Sequence, residues 1–144
     1  AASWLDAAKR LALETPDNFD SHWLLHWGQL QLGRLLASSE NVDNISSATI
    51  ELGKWLTTID FASRASKVNQ LLFLAAIAKS ELEPSDSAEK ISLLHQALDI
   101  SNQSTNYFEY QLVCEVMKTR EQLSLPTDDL TLELNDMAFK NRCY

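Results

Sequence analysis

Two histidines and two tryptophans interleave near residue 25, in the stretch His22-Trp23-Leu24-Leu25-His26-Trp27. Residues four apart lie on one face of a helix, so His22 and His26 could together bind a transition metal. Zinc needs further ligands, and no acidic residue stands between these histidines as in the His-Glu-x-x-His motif. Asp20 or His95 would have to be supplied by the fold. We therefore expect no bound metal, and we expect both histidines to form hydrogen bonds at the rim of the core.

The groups needed for catalysis are not gathered in any motif of this sequence. Three glycines are too few for a phosphate-binding loop, and no Glu-x-x-His pair of the di-iron helical proteins occurs. Cys114 and His95 could act as a nucleophile and its base only if the fold brought them together. The sequence therefore predicts a protein that is not an enzyme and that has no cofactor.

All four tryptophans lie within the first 55 residues, and tryptophan is enriched at binding hot spots. Trp23, Trp27 and Trp55 lie on segments whose apolar width exceeds a single core-facing stripe. We expect at least one of these rings to be partly exposed on a surface that binds a partner. Glu51 lies on the same segment as Trp55 and would favour a partner with Lys or Arg at the rim. In the alternative interpretation, the extra apolar width only contacts neighbouring helices.

The formal net charge of −8 restricts the classes of partner. Binding to a nucleic-acid backbone or to an anionic membrane depends on clustered Lys and Arg, and this sequence has no basic run. We therefore expect a protein or peptide partner, basic in character, and neither nucleic-acid binding nor membrane insertion. A homo-oligomer is also compatible with the sequence.

Two cysteines, Cys114 and Cys143, do not make the disulfide framework of a small secreted domain. Cys114 stands in the apolar stretch Leu112-Val113-Cys114-Glu115-Val116, which predicts a small buried hydrophobic side chain, and Cys143 near the end is expected to be loose. This usage is typical of a reducing compartment, so we expect a cytoplasmic protein.

Only three glycines and three prolines occur in 144 residues, while apolar residues recur at helical spacing through most of the chain. A β-rich chain needs turn residues at short, regular intervals, and this sequence lacks them. The sequence therefore predicts an all-α fold of about seven helices in antiparallel hairpins. The first predicted helix begins at Ser3 and ends before the turn 15–18. The next five cover 19–37, from Ser46 or Ser47 to 59, 61–82, 88–100 and 107–123. A seventh helix begins at Thr127.

The segment 71–78 is apolar all round, which is typical of the most enclosed helix of a domain. We expect replacement of Leu72 or Ile77 by Ala to create a costly cavity there. No linker is long enough to separate two domains, so residues 1–144 are predicted to form one. Pro84 divides it into sub-halves, 1–83 and 84–144, that share a core.

Two segments of the chain have similar sequences, Ala12-Leu13-Glu14-Thr15-Pro16-Asp17-Asn18 and Ala97-Leu98-Asp99-Ile100-Ser101-Asn102-Gln103. In each, a helix ends in Ala-Leu-acidic, and a polar turn and an aromatic helix follow. This resembles the joint between successive tetratricopeptide units and implies a right-handed array of helical hairpins. The two segments are 85 residues apart, which is not a multiple of the family's repeat of about 34. An irregular closed helical bundle remains the alternative.

A helical chain without catalytic groups is typical of proteins that bind other proteins. We therefore expect a scaffold, an adaptor or an assembly subunit that recognises a peptide or helix, as part of a larger protein or complex. The alternative is a small-ligand or metal-binding helical bundle that uses the cluster of His22, His26, Trp23 and Trp27.

Overall fold

Helices make up nearly all regular structure in the computed structural model, which describes residues 2–36, 43–60, 62–85, 87–103 and 110–126. These residues contain six α-helices and no strand, so the all-α prediction is confirmed for them. The helices are α1 (Ala2–Glu14), α2 (Phe19–Leu36), α3 (Asp43–Leu56), α4 (Ala65–Glu81), α5 (Ala88–Asn102) and α6 (Tyr110–Gln122), with a 3-10 turn at Ala62–Arg64. The predicted helix that resumes at Thr127 lies outside the described residues.

A short turn joins α1 and α2, as the prolyl turn in the sequence predicts. The Asn18 side chain caps α2, because its Oδ1 accepts a hydrogen bond of 3.0 Å from the Ser21 backbone N–H. The Thr15 hydroxyl donates to the Leu11 carbonyl at 2.7 Å and lies 3.0 Å from the Ser21 hydroxyl. These bonds fix the two helix ends, so α1 folds back along α2.

Two glycines of α2 allow neighbouring helices to approach it closely. The indole of Trp4 occupies the space that a Cβ at Gly28 would need, and a Cβ at Gly33 would lie 2.9 Å from Ile45 Cγ1. Helix α1 thus packs closely against α2 at Gly28, and α3 packs closely against it at Gly33. A larger residue at either position would push the adjacent helix away from α2.

Helix α4 is the most enclosed of the described helices, as its apolar middle predicts. It contacts α2, α3 and α5, and its buried residues run from Val68 almost without interruption to Ser80. Leu72 is an exception, because it is only half-buried, whereas Ile77 is buried. Residues of α2, α3, α4, α5 and α6 together form one cluster of buried apolar side chains.

Arg34, near the end of α2, connects three helices. Its guanidinium binds the Glu81 carboxylate of α4 at 2.6 Å and the Glu115 carboxylate of α6 at 3.0 Å. Burial opposes the charged guanidinium, but the hydrogen bonds and charges of these two carboxylates outweigh it and raise the pKa of Arg34. Arg34 therefore holds α2 beside both α4 and α6.

Several predicted boundaries are wrong by a few residues. Ser3 lies inside α1 instead of capping it. Helix α3 begins at Asp43 instead of at Ser46 or Ser47, and it ends at Leu56 instead of at 59. Farther along the chain, Ser87 caps α5 by accepting a hydrogen bond from the Lys90 backbone N–H at 3.0 Å. Helix ends depend on single capping residues, and periodicity does not locate them.

Cys114 is buried in α6, as predicted, but its thiol is not free: it is disulfide-bonded. The only other cysteine of the sequence, Cys143, lies outside the described residues. A disulfide is typical of oxidising compartments, so the cysteines no longer support the expected cytoplasmic location.

Candidate functional site

A groove with a volume of about 150 Å³ lies between α1 and α3, both of which pack against α2. Its floor contains Leu32 and the buried Gly33 of α2, together with the buried Ala48 of α3. Its exposed polar residues are Lys9 on the α1 wall and Asn44, Ser47 and Glu51 on the α3 wall. An apolar floor between polar walls can hold a side chain or a short segment of another molecule.

One hydrogen bond across the groove joins Gln29 of α2 to Glu51 of α3. Gln29 Nε2 donates to Glu51 Oε2 at 2.8 Å. A carboxylate only accepts hydrogen bonds, so the amide nitrogen of Gln29 must face Glu51 and the orientation of the amide is fixed. Gln29 is only 9% exposed, its Oε1 is buried, and its side chain also interacts with the imidazole of His26, one turn earlier on α2. The Glu51 carboxylate is thus held in place at the edge of the groove.

An aromatic cluster lies farther along the contact between α2 and α3, next to the groove. The Trp55 indole stacks on the imidazoles of His26 and His22, with ring centroids 4.9 Å and 6.0 Å apart. The Phe19 ring packs against the same indole at 5.3 Å. Stacking of these rings therefore fixes α3 against α2 at the end where Trp55 lies.

His26 is 5% exposed and its Nδ1 has no hydrogen-bond partner among the described residues. Burial lowers the pKa of His26 to about 4; the charge of Glu51 opposes this shift, His22 adds to it, and a hydrogen bond with the Gln29 side chain opposes it. The imidazole is therefore neutral at neutral pH. His22 Nε2 is likewise buried without a hydrogen-bond partner among the described residues. The expectation that both histidines form hydrogen bonds at the rim of the core stays a prediction.

The fold does not bring the four predicted partner-binding residues to one surface. Glu51 lines the groove, and Trp55 lies one turn away on the same helix. Trp23 is buried toward α4, where its Nε1 donates to the Lys67 carbonyl at 2.8 Å, and Trp27 packs edge-on against it at 5.1 Å. Trp27 and Trp55 are both half-buried against the core, in agreement with the expectation of partial exposure.

Trp4 of α1 is the most exposed tryptophan, at 48%. Leu11, on the same helix, is 49% exposed, whereas Ala12 is buried. A single helix on the edge of a domain buries a narrower stripe than its apolar residues suggest.

Neither the metal site nor the Cys–His pair gains geometric support. No group of three or more His, Cys, Asp or Glu side chains that could hold a metal ion occurs in the described part of the chain. His22 and His26 face Trp55, and His95 is exposed on α5. Cys114 is disulfide-bonded, so it cannot act as a thiolate nucleophile in this state.

Sequence reasoning missed Lys9, Gln29, Asn44 and Ser47 as groove residues. A signal for Gln29 was present, because His22, His26 and Gln29 follow each other at spacings of four and three and form a polar row on α2. Polar atoms in such a row need partners on the neighbouring helix. Nothing local to α1 or α3 indicates which of their polar residues meet that row.

No family model, curated protein or solved structure matches the chain. No described helix combines the length and the apolar character needed to cross a membrane.

Proposed function

We propose that this chain is a non-enzymatic protein–protein interaction domain that binds a peptide or helix of a partner in the groove between α1 and α3. The observation that carries the proposal is the groove itself, whose walls present exposed polar side chains above an apolar floor. Its acidic residue, Glu51, is held by Gln29 at 2.8 Å, so it does not have to be ordered when a partner binds. A scaffold, an adaptor or an assembly subunit would use such a surface.

The half-buried tryptophans have a supporting role in this proposal. Trp55 stacks on His26 at 4.9 Å and thereby sets the position of α3, the helix that carries Glu51. Trp27 packs on Trp23, on the side of α2 that faces α4. The recognition surface thus shifts from the tryptophans to the groove, and only Glu51 of the predicted residues contacts the partner directly.

An irregular closed bundle around α4 is the architecture that we favour over an open tetratricopeptide-like array. Arg34 of α2 binds Glu115 of α6 at 3.0 Å, so two helices four apart in the chain touch. In an open array each hairpin contacts its sequence neighbours only. A closed bundle offers grooves between adjacent helices, and it lacks the continuous concave surface of a solenoid.

Selection from a displayed library of random peptides, with the full chain as the immobilised target, tests this function. Peptides that enrich are synthesised, and their affinities are measured by calorimetry. Ser47→Trp places an indole in the groove, because Ser47 is an exposed lining residue of α3. Ser92→Trp is the matched control, because Ser92 is exposed on α5 and lines no part of the groove.

We expect Ser47→Trp to abolish binding of the selected peptides and Ser92→Trp to leave it unchanged. Circular dichroism of both variants checks that the helical fold is retained. Selected peptides that bind both variants equally would place recognition elsewhere on the molecule. Failure to select any peptide that depends on the groove would remove the proposal.

A further inference from the structure

The disulfide of Cys114 has one available partner within the chain. Cys114 is disulfide-bonded, and the sequence contains a single other cysteine, Cys143, which is 29 positions farther along. Two cysteines allow only one intramolecular pairing. The bond therefore closes a loop that runs from the middle of α6 to residue 143.

The part of α6 that carries Cys114 is held firmly in the fold. Cys114 is buried, and the adjacent residue, Glu115, binds the Arg34 guanidinium of α2 at 3.0 Å. Four other residues of α6 belong to the same cluster of buried apolar side chains: Leu112, Val113, Val116 and Met117. One end of the disulfide is thus attached to a segment that the core and Arg34 keep in place.

We infer that the bond between Cys114 and Cys143 is a redox-sensitive clasp, which stabilises the fold by closing the loop between the two residues. A cross-link removes conformations from the unfolded chain, and this effect grows with the length of the closed loop. The stabilisation lasts only while the sulfur–sulfur bond is intact. The inference does not depend on the proposed groove, because none of the residues that line the groove belongs to α6.

A dithiol opens such a clasp by two successive thiol–disulfide exchanges. A thiolate of the dithiol attacks one sulfur of the bond, forms a mixed disulfide with it and displaces the other cysteine as a thiolate. The second thiolate of the dithiol then attacks the mixed disulfide and releases the first cysteine. Two electrons and two protons pass to the protein, so both cysteines become thiols and the dithiol becomes a cyclic disulfide.

Tryptic peptide mapping of the full chain tests the pairing. The protein is equilibrated with oxidised glutathione, and free thiols are blocked with iodoacetamide before digestion. Trypsin cleaves after Lys and Arg, so Cys114 and Cys143 fall in separate peptides, 91–118 and 143–144. We expect these two peptides to be joined until a reductant is added. Cysteines that carry alkyl groups or glutathione, or a disulfide-linked dimer on a non-reducing gel, would overturn the pairing.

Thermal unfolding followed by circular dichroism, with and without dithiothreitol, tests the effect on stability. A closed loop of this length predicts that reduction lowers the Tm by roughly 10 °C. Cys143→Ser is the matched variant, because it removes the clasp and retains the buried Cys114. Its Tm should equal that of the reduced wild type and should not respond to dithiothreitol. An unchanged Tm of the wild type on reduction, or an equal fall in Cys143→Ser, would overturn the inference.

Discussion

Replacing His26 by Gln should remove a large part of the acid sensitivity of this fold. His26 is 5% exposed between α2 and α3, and its imidazole stacks on Trp55. Glutamine does not titrate and is close in size to histidine. The substitution therefore removes the proton-binding group while the contact between the two helices keeps most of its volume.

The size of the expected loss of stability follows from the difference between the pKa values of His26 in the folded and unfolded states. Burial lowers the pKa of His26 from 6.5 to about 4 in the folded protein. The unfolded chain therefore binds more protons than the folded chain between these pH values, and the free energy of unfolding falls as the pH decreases. The loss is roughly 2 kcal/mol between pH 7 and pH 5, and about 3 kcal/mol once the pH is below the folded-state pKa.

Urea unfolding followed by tryptophan fluorescence, at a series of pH values from 7 to 5, measures this loss. The wild-type chain should lose roughly 2 kcal/mol more than His26→Gln over this range. His95→Gln is the matched control, because His95 is exposed on α5 and is solvated in both states. The control should follow the wild type, and both should exceed His26→Gln in stability at pH 7, since glutamine loses the stacking on Trp55.

Equal losses of stability in the wild type and in His26→Gln would refute this reasoning. That result would mean that His26 is solvated or that it acquires a partner on protonation. An NMR titration of the imidazole distinguishes these cases, because a solvated ring titrates near 6.5, the value of the unfolded chain.

Four further substitutions test the packing. Ile77→Ala should cost about 2–5 kcal/mol in urea unfolding and Leu72→Ala clearly less, because Ile77 is buried and Leu72 half-buried; equal costs would contradict the assigned position of α4. Gly28→Ala should displace the Trp4 indole and make tryptophan emission more accessible to acrylamide, whereas an unchanged spectrum would show that the ring does not lie on Gly28. Arg34→Met should lower the free energy of unfolding by about 1–2 kcal/mol, since the carboxylates of α4 and α6 lose their shared partner. An unchanged free energy of unfolding would mean that Arg34, Glu81 and Glu115 interact only as solvated surface groups.

Much of the fold could be predicted from patterns within single helices. The sparse glycine and proline predict an all-helical chain, and the apolar segment 71–78 predicts the enclosed helix α4. The turn at 15–18 ends α1 as expected, since proline disfavours helix at the preceding residue. Helix ends were less predictable, because a cap such as Ser87 or Asn18 decides them and many polar residues are equally suitable.

The candidate site could be predicted only in part. Glu51 was expected to face a partner, but the prediction gave it three tryptophan neighbours and omitted Gln29. Two of the tryptophans, Trp23 and Trp27, lie on the side of α2 that faces α4. The spacing of apolar residues indicates that a helix has a wide apolar face, but it does not indicate which neighbouring helix covers each part of that face.

The sequence by itself determined that this chain forms helices, which of them is most enclosed, and that His22, His26 and Gln29 share a face. These properties depend on residues within a few positions of each other, so local spacing is sufficient to establish them. Only the tertiary structure decided that Gln29 meets Glu51, 22 residues away, and that Arg34 meets Glu115, 81 residues away. Such pairs depend on the crossing of whole helices, which the close contacts at Gly28 and Gly33 and the enclosure of α4 set together.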